Sequence, residues 1–363
     1  MRRILHIVGN MAPDGMSNFI MNIYRRMDRS RLQFDFIVMG EKHPNYHDEI
    51  AELGGRVFRI PRMAKHPVAH FREIKRIVRQ GGYELVFRHT DTCTVAAELI
   101  AARLGGAKKV IPHAHSTRAL HPVWNALMRP LLNLAATERF SCGKAAGDWL
   151  FGGAPYRIVH NGIDLERFAF DKEKREAVRK EYVHLKDSLV FGHIGNFFAA
   201  KNHGFLLEVF SEIKKKQSNA VLLLIGDGEL RGEIEEKIRT LELSGSVKLL
   251  GERNDVDRLV HGLDCLIFPS FYEGLPIALI EAQASGLPVV YSDVISDEVR
   301  LTEQMLPLPL SLPAGEWAGR AIVLAEEGLE KRNNAGQEDE NITLLKKAGY
   351  DQKRLVEFYE RFA

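Results

Sequence analysis

Segments with strand spacing and segments with helix spacing alternate along nearly all of this 363-residue chain. No other property constrains the fold as much, because strands separated by helices pair side by side into a parallel sheet of βαβ units. In the first part, residues 4–8, 34–39, 56–60, 85–87, 110–113 and 139–142 read as strands. Helical patterns lie between them at 17–27, 71–80 and 94–104. A second series begins at 189–194 and continues through 221–225, 247–250, 265–268 and 288–291. Between the two series, Asn161-Gly162 breaks the regularity and a charged helical segment follows at 171–182, which puts a boundary close to Asp164. The chain is long enough for two domains with full cores. The sequence thus predicts an α/β protein of two Rossmann-like domains, 1–164 and 165–345, facing across a cleft, with a final amphipathic helix at 351–362.

The composition, 45% hydrophobic and 27% charged, is that of a water-soluble globular protein, and no apolar run reaches membrane-spanning length. The opening residues lack the longer apolar region of a signal peptide. Cys93, Cys142 and Cys265 are scattered without metal-ligand spacing, so they read as reduced core residues and favour a cytoplasmic setting. The net charge of +2 conceals an imbalance. Residues 1–165 carry 24 basic and 14 acidic side chains, whereas 166–363 carry 26 and 34. A basic first half points to an anionic partner, such as a phosphate-bearing acceptor or a membrane surface. The basic amphipathic stretch 71–79 and the apolar residues Trp124, Leu127, Met128, Leu131 and Leu132 are candidates for lipid contact; equally they are core faces of ordinary helices.

Loops after the strands hold the chemistry-bearing residues. Glu273 and Glu281 sit eight residues apart around Gly274-Leu275-Pro276, which reads as a turn entering a helix with Pro276 at its first position. Free N–H groups at such a helix start favour a phosphate or a hydroxyl-rich ligand. Gly195-Asn196 opens the second series' first loop; there Lys201 is placed to neutralise a diphosphate, and Asn202 and His203 to cap a helix starting near Phe205. Gly226-Asp227-Gly228 and the loop carrying Arg253 follow the next two strands, Arg253 as a candidate for a nucleobase pocket and Asp255 as a helix N-cap. In the first domain, the loop containing Gly15 ends in a candidate N-cap, Ser17, and can bring backbone N–H groups to a phosphate. His113 and His115, two apart at a strand end, face one side; no neighbouring cysteine or acidic group completes a metal site. Asp255-Val256-Asp257 is a helix start rather than a metal motif. No G-x-G-x-x-G with a following acid is present, which argues against a dinucleotide-dependent dehydrogenase.

Taken together, these pieces resemble the retaining glycosyltransferases of family 4, with the GT-B fold. The resemblance rests on Glu273-x7-Glu281 in its Tyr-Glu-Gly-Leu-Pro frame, on Asn161-Gly162-Ile163-Asp164 with Phe168, and on Gly195 with Lys201-Asn202-His203. Gly226-Asp227-Gly228, His113-Ala114-His115-Ser116 and Cys142-Gly143-Lys144 follow the family's order. The likeness spans nearly the whole chain and is closest to bacterial enzymes of exopolysaccharide and capsule synthesis. It implies that Glu273 touches the donor sugar's hydroxyls, that Gly274, Leu275 and Pro276 hold that sugar, and that Glu281 binds the ribose. Lys201 would stabilise the departing diphosphate, with Gly15, Asn196, Gly226 and Arg253 around the donor, and His115 (or His113) would stand by sugar and acceptor. It also implies that residues 346–363 cross back to the acceptor-binding first domain. The implied donor is a nucleotide-sugar, a UDP-sugar above all; the acceptor is a glycan or a polyprenyl-linked glycan. No metal, cofactor or nucleic acid is implied; the cytoplasmic setting rests on the cysteines, and peripheral contact on the membrane's inner face is an option that the basic first half raises. Asn196 departs from the family, which usually has an arginine there; an amide supplies no bidentate cation. That departure also leaves a weakly active nucleotide-sugar-binding scaffold as an alternative, beside a nucleotide-sugar epimerase of similar shape.

Overall fold

The computed structural model describes residues 1–12, 14–40, 44–116, 122–182, 188–332 and 337–362. The chain forms two compact units, Met1–Gly162 with Gln352–Ala363, and Ile163–Asp351. In the first unit the strands are β1 Arg2–Val8, β2 Leu32–Val38, β3 Val57–Arg59, β4 Leu85–Thr90, β5 Lys109–Ala114, β6 Phe140–Ser141 and β7 Arg157–Ile158. They form one sheet in the order β3-β2-β1-β4-β5-β6-β7, every pair parallel. In the second unit the strands are β8 Val190–Ile194, β9 Val221–Ile225, β10 Val247–Gly251, β11 Cys265–Phe268, β12 Val289–Ser292 and β13 Met305–Leu308. Their sheet runs β10-β9-β8-β11-β12-β13, again all parallel.

Counted from its own first strand, each unit has the doubly wound order 3-2-1-4-5-6, extended by β7 in the first. The order reverses between β1 and β4, and between β8 and β11. At such a point the loops leaving two adjacent strands turn to opposite faces, and a crevice opens beyond the carboxyl ends.

The sequence accounts for the layers. β9, Val-Leu-Leu-Leu-Ile, is buried along its whole length, as a strand covered on both faces must be. Leu206, Phe210 and Trp317 cover one face of the second sheet, and Val260, Leu279 and Ile280 the other. The helix Lys172–Glu181 is tied down by charge: Arg175 and Arg179 both donate to buried Asp264, which also accepts the Val190 N–H at 2.8 Å. The last helix, Gln352–Phe362, packs on the first unit, where Leu355, Val356 and Tyr359 join Phe34 and Phe87 in one core. Gln352 Nε2 donates to the Asn22 carbonyl at 2.9 Å. Cys93, Cys142 and Cys265 are buried free thiols.

Several local expectations shift. β7 is only two residues long, and β13 carries Pro307; a proline is tolerated there because β13 is an edge strand. Ser17 is not an N-cap. Asp14 is, its Oδ1 accepting the Ser17 N–H at 2.8 Å ahead of the helix Gly15–Arg26. The helix after Lys201 starts at His203, two residues earlier than expected, with Asn202 at the cap position in left-handed backbone (φ 54°) and no side-chain cap bond. Pro276 is the N-cap of the helix Ile277–Ala284 rather than its first residue. The apolar side of 71–79 belongs to the core: Ile74, Ile77 and Val78 are buried within the helix Pro67–Gly81, so this stretch offers no apolar face to lipid.

Candidate active site

Two groups of residues stand at the carboxyl ends of the strands, one in each unit. In the second unit, the loop after β8 makes a 3-10 turn at Ala199–Lys201, and the chain leaving β11 passes beside it. The Phe271 N–H donates to the Ala200 carbonyl at 2.8 Å, which ties the two loops together at the reversal point. Lys201 Nζ consequently lies 2.7 Å from Glu273 Oε1 and 4.7 Å from the Phe268 ring centroid. Both side chains are largely buried, with 19% and 14% of their surface exposed. The pair expected from sequence to serve diphosphate and sugar is thus one ion pair, largely covered and at the rim of the sheet.

The neighbouring loops are laced to this pair. The Gly195 N–H donates to the Ile225 carbonyl, the Phe197 N–H to Asp227 and the Leu230 N–H to Phe197. The stitching demands glycine. Gly226 has φ 141°, and a Cβ there would stand 2.2 Å from the Gly195 carbonyl oxygen; a Cβ at Gly228 would meet the Phe197 backbone at 2.8 Å. Gly226 therefore fits loop to loop. Asn196 is exposed on the same loop. Gly274 and Leu275 lead into the helix Ile277–Ala284, whose first N–H groups have no partner inside the helix.

Glu281 stands in that helix's second turn, partly buried. Loss of water around its carboxyl, reinforced by Asp257 and opposed by Arg167, raises its pKa to about 7. Arg167 meanwhile pairs with Asp257 at 2.7 Å. Arg253 is a bidentate partner of Asp255, at 2.8 and 2.9 Å, instead of an unengaged group. Asp255 occupies an N-cap position but makes no cap bond; Arg253 and then Arg258 hold its carboxyl down at about 2.

In the first unit, His115 follows β5 directly and His113 lies within it, their ring centroids 4.2 Å apart. Neither stands alone. His89, at the end of β4, places Nδ1 2.8 Å from His115 Nε2, and its Nε2 lies 2.9 Å from Nδ1 of His6 on β1. Sequence reasoning missed His89 and His6. Their signal was present, since β1 and β4 flank the reversal point and each carries a histidine toward the same end. Burial keeps all four rings neutral, with His6 and His115 lowered to about 3 and His89 and His113 well below the usual histidine range. Possible ligand atoms of His89, His113 and His115 lie within 4.8 Å of one another, so a third imidazole does join the two read from sequence. Gly15 falls in the first turn of its helix, and a Cβ there would meet nothing within 4 Å, leaving the space beside it open.

Comparison with known proteins agrees with both units. Residues 13–167 match Glycosyltransferase Family 4, and residues 174–298 match Glycosyl transferases group 1. The chain is 34% identical to the putative glycosyltransferase EpsF of Bacillus subtilis, over 98% of this chain and 94% of that one. It is 25% identical to the Escherichia coli UDP-Gal:alpha-D-GlcNAc-diphosphoundecaprenol alpha-1,3-galactosyltransferase, over 66% of each. Among solved structures, Anabaena HepE in complex with UDP superposes with a TM-score of 0.81 at 16% identity, covering 100% of this chain and 99% of that one. HepE in complex with UDP-glucose gives 0.80 over the same shares, at 16% identity. With this strand order in both units and a relative of such identity along nearly its full length, the chain is a glycosyltransferase of family 4 with the GT-B fold.

Proposed function

We propose that this glycosyltransferase takes its sugar from a UDP-sugar bound to the second unit. It passes the sugar, with retained anomeric configuration and no metal ion, to a hydroxyl of a glycan or polyprenyl-linked acceptor in bacterial polysaccharide synthesis. The first unit receives that acceptor. The observation that carries the donor half is the Lys201–Glu273 pair at 2.7 Å, at the reversal point of the second sheet. In transfer, the bond between anomeric carbon and phosphate oxygen breaks, so negative charge grows on the diphosphate and positive charge on the sugar ring. An ammonium suits the first and a carboxylate the second. Before donor arrives, each neutralises the other. A diphosphate would compete for Lys201 and release Glu273 to the sugar hydroxyls. Glu281, in the second turn of the helix that follows Glu273, would accept from the ribose hydroxyls. The UDP and UDP-glucose complexes of HepE, and the UDP-Gal and diphosphoundecaprenol in the name of the Escherichia coli relative, support this choice of donor and acceptor. A thermal-shift panel of nucleotide-sugars tests it, because a bound donor stabilises by mass action. UDP and one UDP-sugar should raise the melting temperature; a shift with GDP- or ADP-sugars alone would refute the choice of base.

The first unit also has a face suited to anionic lipid. Among the described residues no helix is long and apolar enough to cross a membrane. The helix Pro122–Ala135, however, buries Asn125, Leu132 and Ala135 and turns Val123, Trp124, Leu127, Leu131 and Leu134 outward. Leu134 is 77% exposed and Trp124 61%. An apolar row of this kind on a unit with twelve surplus basic side chains, 27 against 15 acidic, matches an anionic bilayer surface. Liposomes containing anionic lipid should sediment the protein, and Trp124→Asp with Leu127→Asp should abolish sedimentation without loss of fold. Unchanged sedimentation of the double variant would remove this face from the account.

A further inference from the structure

His6, His89 and His115 form a line of neutral imidazoles. His6 Nδ1 lies 2.9 Å from His89 Nε2, and His89 Nδ1 lies 2.8 Å from His115 Nε2. Both are hydrogen-bonding distances, and each bond needs one N–H facing one bare nitrogen. A neutral imidazole carries a single N–H. The line therefore has two self-consistent arrangements: all three hydrogens on Nδ1, or all three on Nε2. Any mixture sets two N–H groups, or two lone pairs, against each other.

Each leaves one N–H without a partner among the described residues, on His115 Nδ1 in the first and on His6 Nε2 in the second, and the surroundings of that N–H discriminate between them. His6 Nε2 has no hydrogen-bond partner among the described residues, and its ring is boxed by Phe34, Phe36 and Phe87 at 4.3, 5.5 and 5.4 Å between centroids. An N–H closed in by aromatic rings can be given no acceptor, whereas one on His115, next to the carboxyl end of β5, can be given one by a bound ligand. The hydrogen of His6 accordingly belongs on Nδ1, facing His89. Its donation to His89 Nε2 forces the His89 hydrogen onto Nδ1, and that in turn fills His115 Nε2. The hydrogen of His115 is left on Nδ1, an atom shielded from solvent and without a partner among the described residues.

We propose that His89, itself set by His6, is a positioning residue that fixes His115 as its Nδ1–H tautomer, so that His115 donates a hydrogen bond to an oxygen of the bound ligand and does not act as a base. This rests on the reading of His115 as a residue that meets substrate. The acceptor is an oxygen lone pair, carried by a phosphate or by a sugar hydroxyl.

The test is 15N NMR of the full chain with labelled histidine, with His115 assigned through His115→Gln. In the unmutated apo protein, His115 Nδ1 should give the signal of a nitrogen bearing hydrogen and Nε2 that of a bare nitrogen. The reverse pattern overturns the proposal. So does a stoichiometric metal ion bound by the protein, since His89 and His115 would then spend the same nitrogens on it. His89→Asn keeps an amide N–H near the place of Nδ1 and should keep the His115 pattern; His89→Phe should shift it toward Nε2–H and lower transfer about tenfold, as loss of one hydrogen bond does. Equal patterns in the two variants overturn the role of His89. Titration with UDP and then UDP-glucose separates the acceptors: a change in the Nδ1 signal with UDP marks phosphate, and a change only with UDP-glucose marks the sugar. A bound UDP-glucose that leaves Nδ1 unchanged overturns the donor role. Should His115→Gln leave transfer intact, the reading of His115 as a substrate contact fails, while the apo spectrum still decides the line of histidines.

Discussion

Lys201 and Glu273 occupy one another in the absence of ligand, so each should be felt through the other. Lys201→Ala leaves Glu273 without its cation and the diphosphate without its ammonium; transfer should fall about a hundredfold or more, by analogy with the removal of one transition-state donor. Glu273→Gln keeps shape and hydrogen bonding but not charge. It should lower kcat more than it weakens UDP binding, and steady-state kinetics with direct UDP titration would tell. Glu281 makes a different prediction. Its folded pKa, about 7, stands above the ordinary glutamate value of 4.5. A raised carboxyl pKa means that the fold prefers the protonated form. That preference is fully present below pH 4.5 and is lost as pH rises through 7. At roughly 1.4 kcal/mol per unit, the loss is on the order of 3 kcal/mol. Glu281→Gln should therefore melt higher than the unmutated protein at pH 8 and nearly level with it at pH 4.5. An offset independent of pH would contradict the raised pKa.

Among the elements, the loops after β8 and β9 behave as one piece, because Gly226 lets them touch backbone to backbone. Gly226→Ala would drive a methyl into the Gly195 carbonyl at a positive φ. It should cost about 1–3 kcal/mol of stability by denaturant unfolding and displace the turn that carries Lys201, weakening UDP binding too. Gly228→Ala should act in the same direction. Such contacts explain what the sequence could and could not disclose. Strands such as β8, β9 and β11 were legible because burial on both faces demands unbroken apolar runs. β7, two residues long, has no run to recognise. Glu273 and Lys201 were legible as residues at strand ends, 72 positions apart, but their ion pair was not, since it depends on how two loops meet. Asp255 shows the limit of cap rules: the position was right, yet two arginines claimed its carboxylate. His89 was passed over because β4 was read as ending at residue 87, before the histidine that completes the line from His6 to His115.

In the molecule as a whole, two units share one strand order and differ in charge, the basic surplus lying in the first. Their boundaries are not contiguous in sequence. Gly162 ends the main part of the first unit, the chain spends Ile163–Asp351 in the second, and Gln352–Phe362 returns to the first. Removal of residues 352–363 should strip Leu355, Val356 and Tyr359 from the first core. At about 1.5–3 kcal/mol for each buried side chain, the loss rivals the whole margin of an ordinary domain. Calorimetry of the truncated chain should show the transition of the first unit lost or strongly lowered. The second unit keeps the Ile163–Asp351 bridge, and its transition should remain. Equal lowering of both, or of neither, would contradict this division.

The returning helix also sets an order of events in the cell. The ribosome must add the 189 residues of Ile163–Asp351 before it reaches the segment that closes the first core. At synthesis rates of about 5–20 residues per second, the half-finished domain waits roughly 10–40 s with Phe34 and Phe87 uncovered. The second unit, continuous in sequence, has no such delay and can complete its own core first. Nascent-chain maturation should thus run from the middle of the polypeptide outward, and the unfinished first sheet is where a chaperone would find its client.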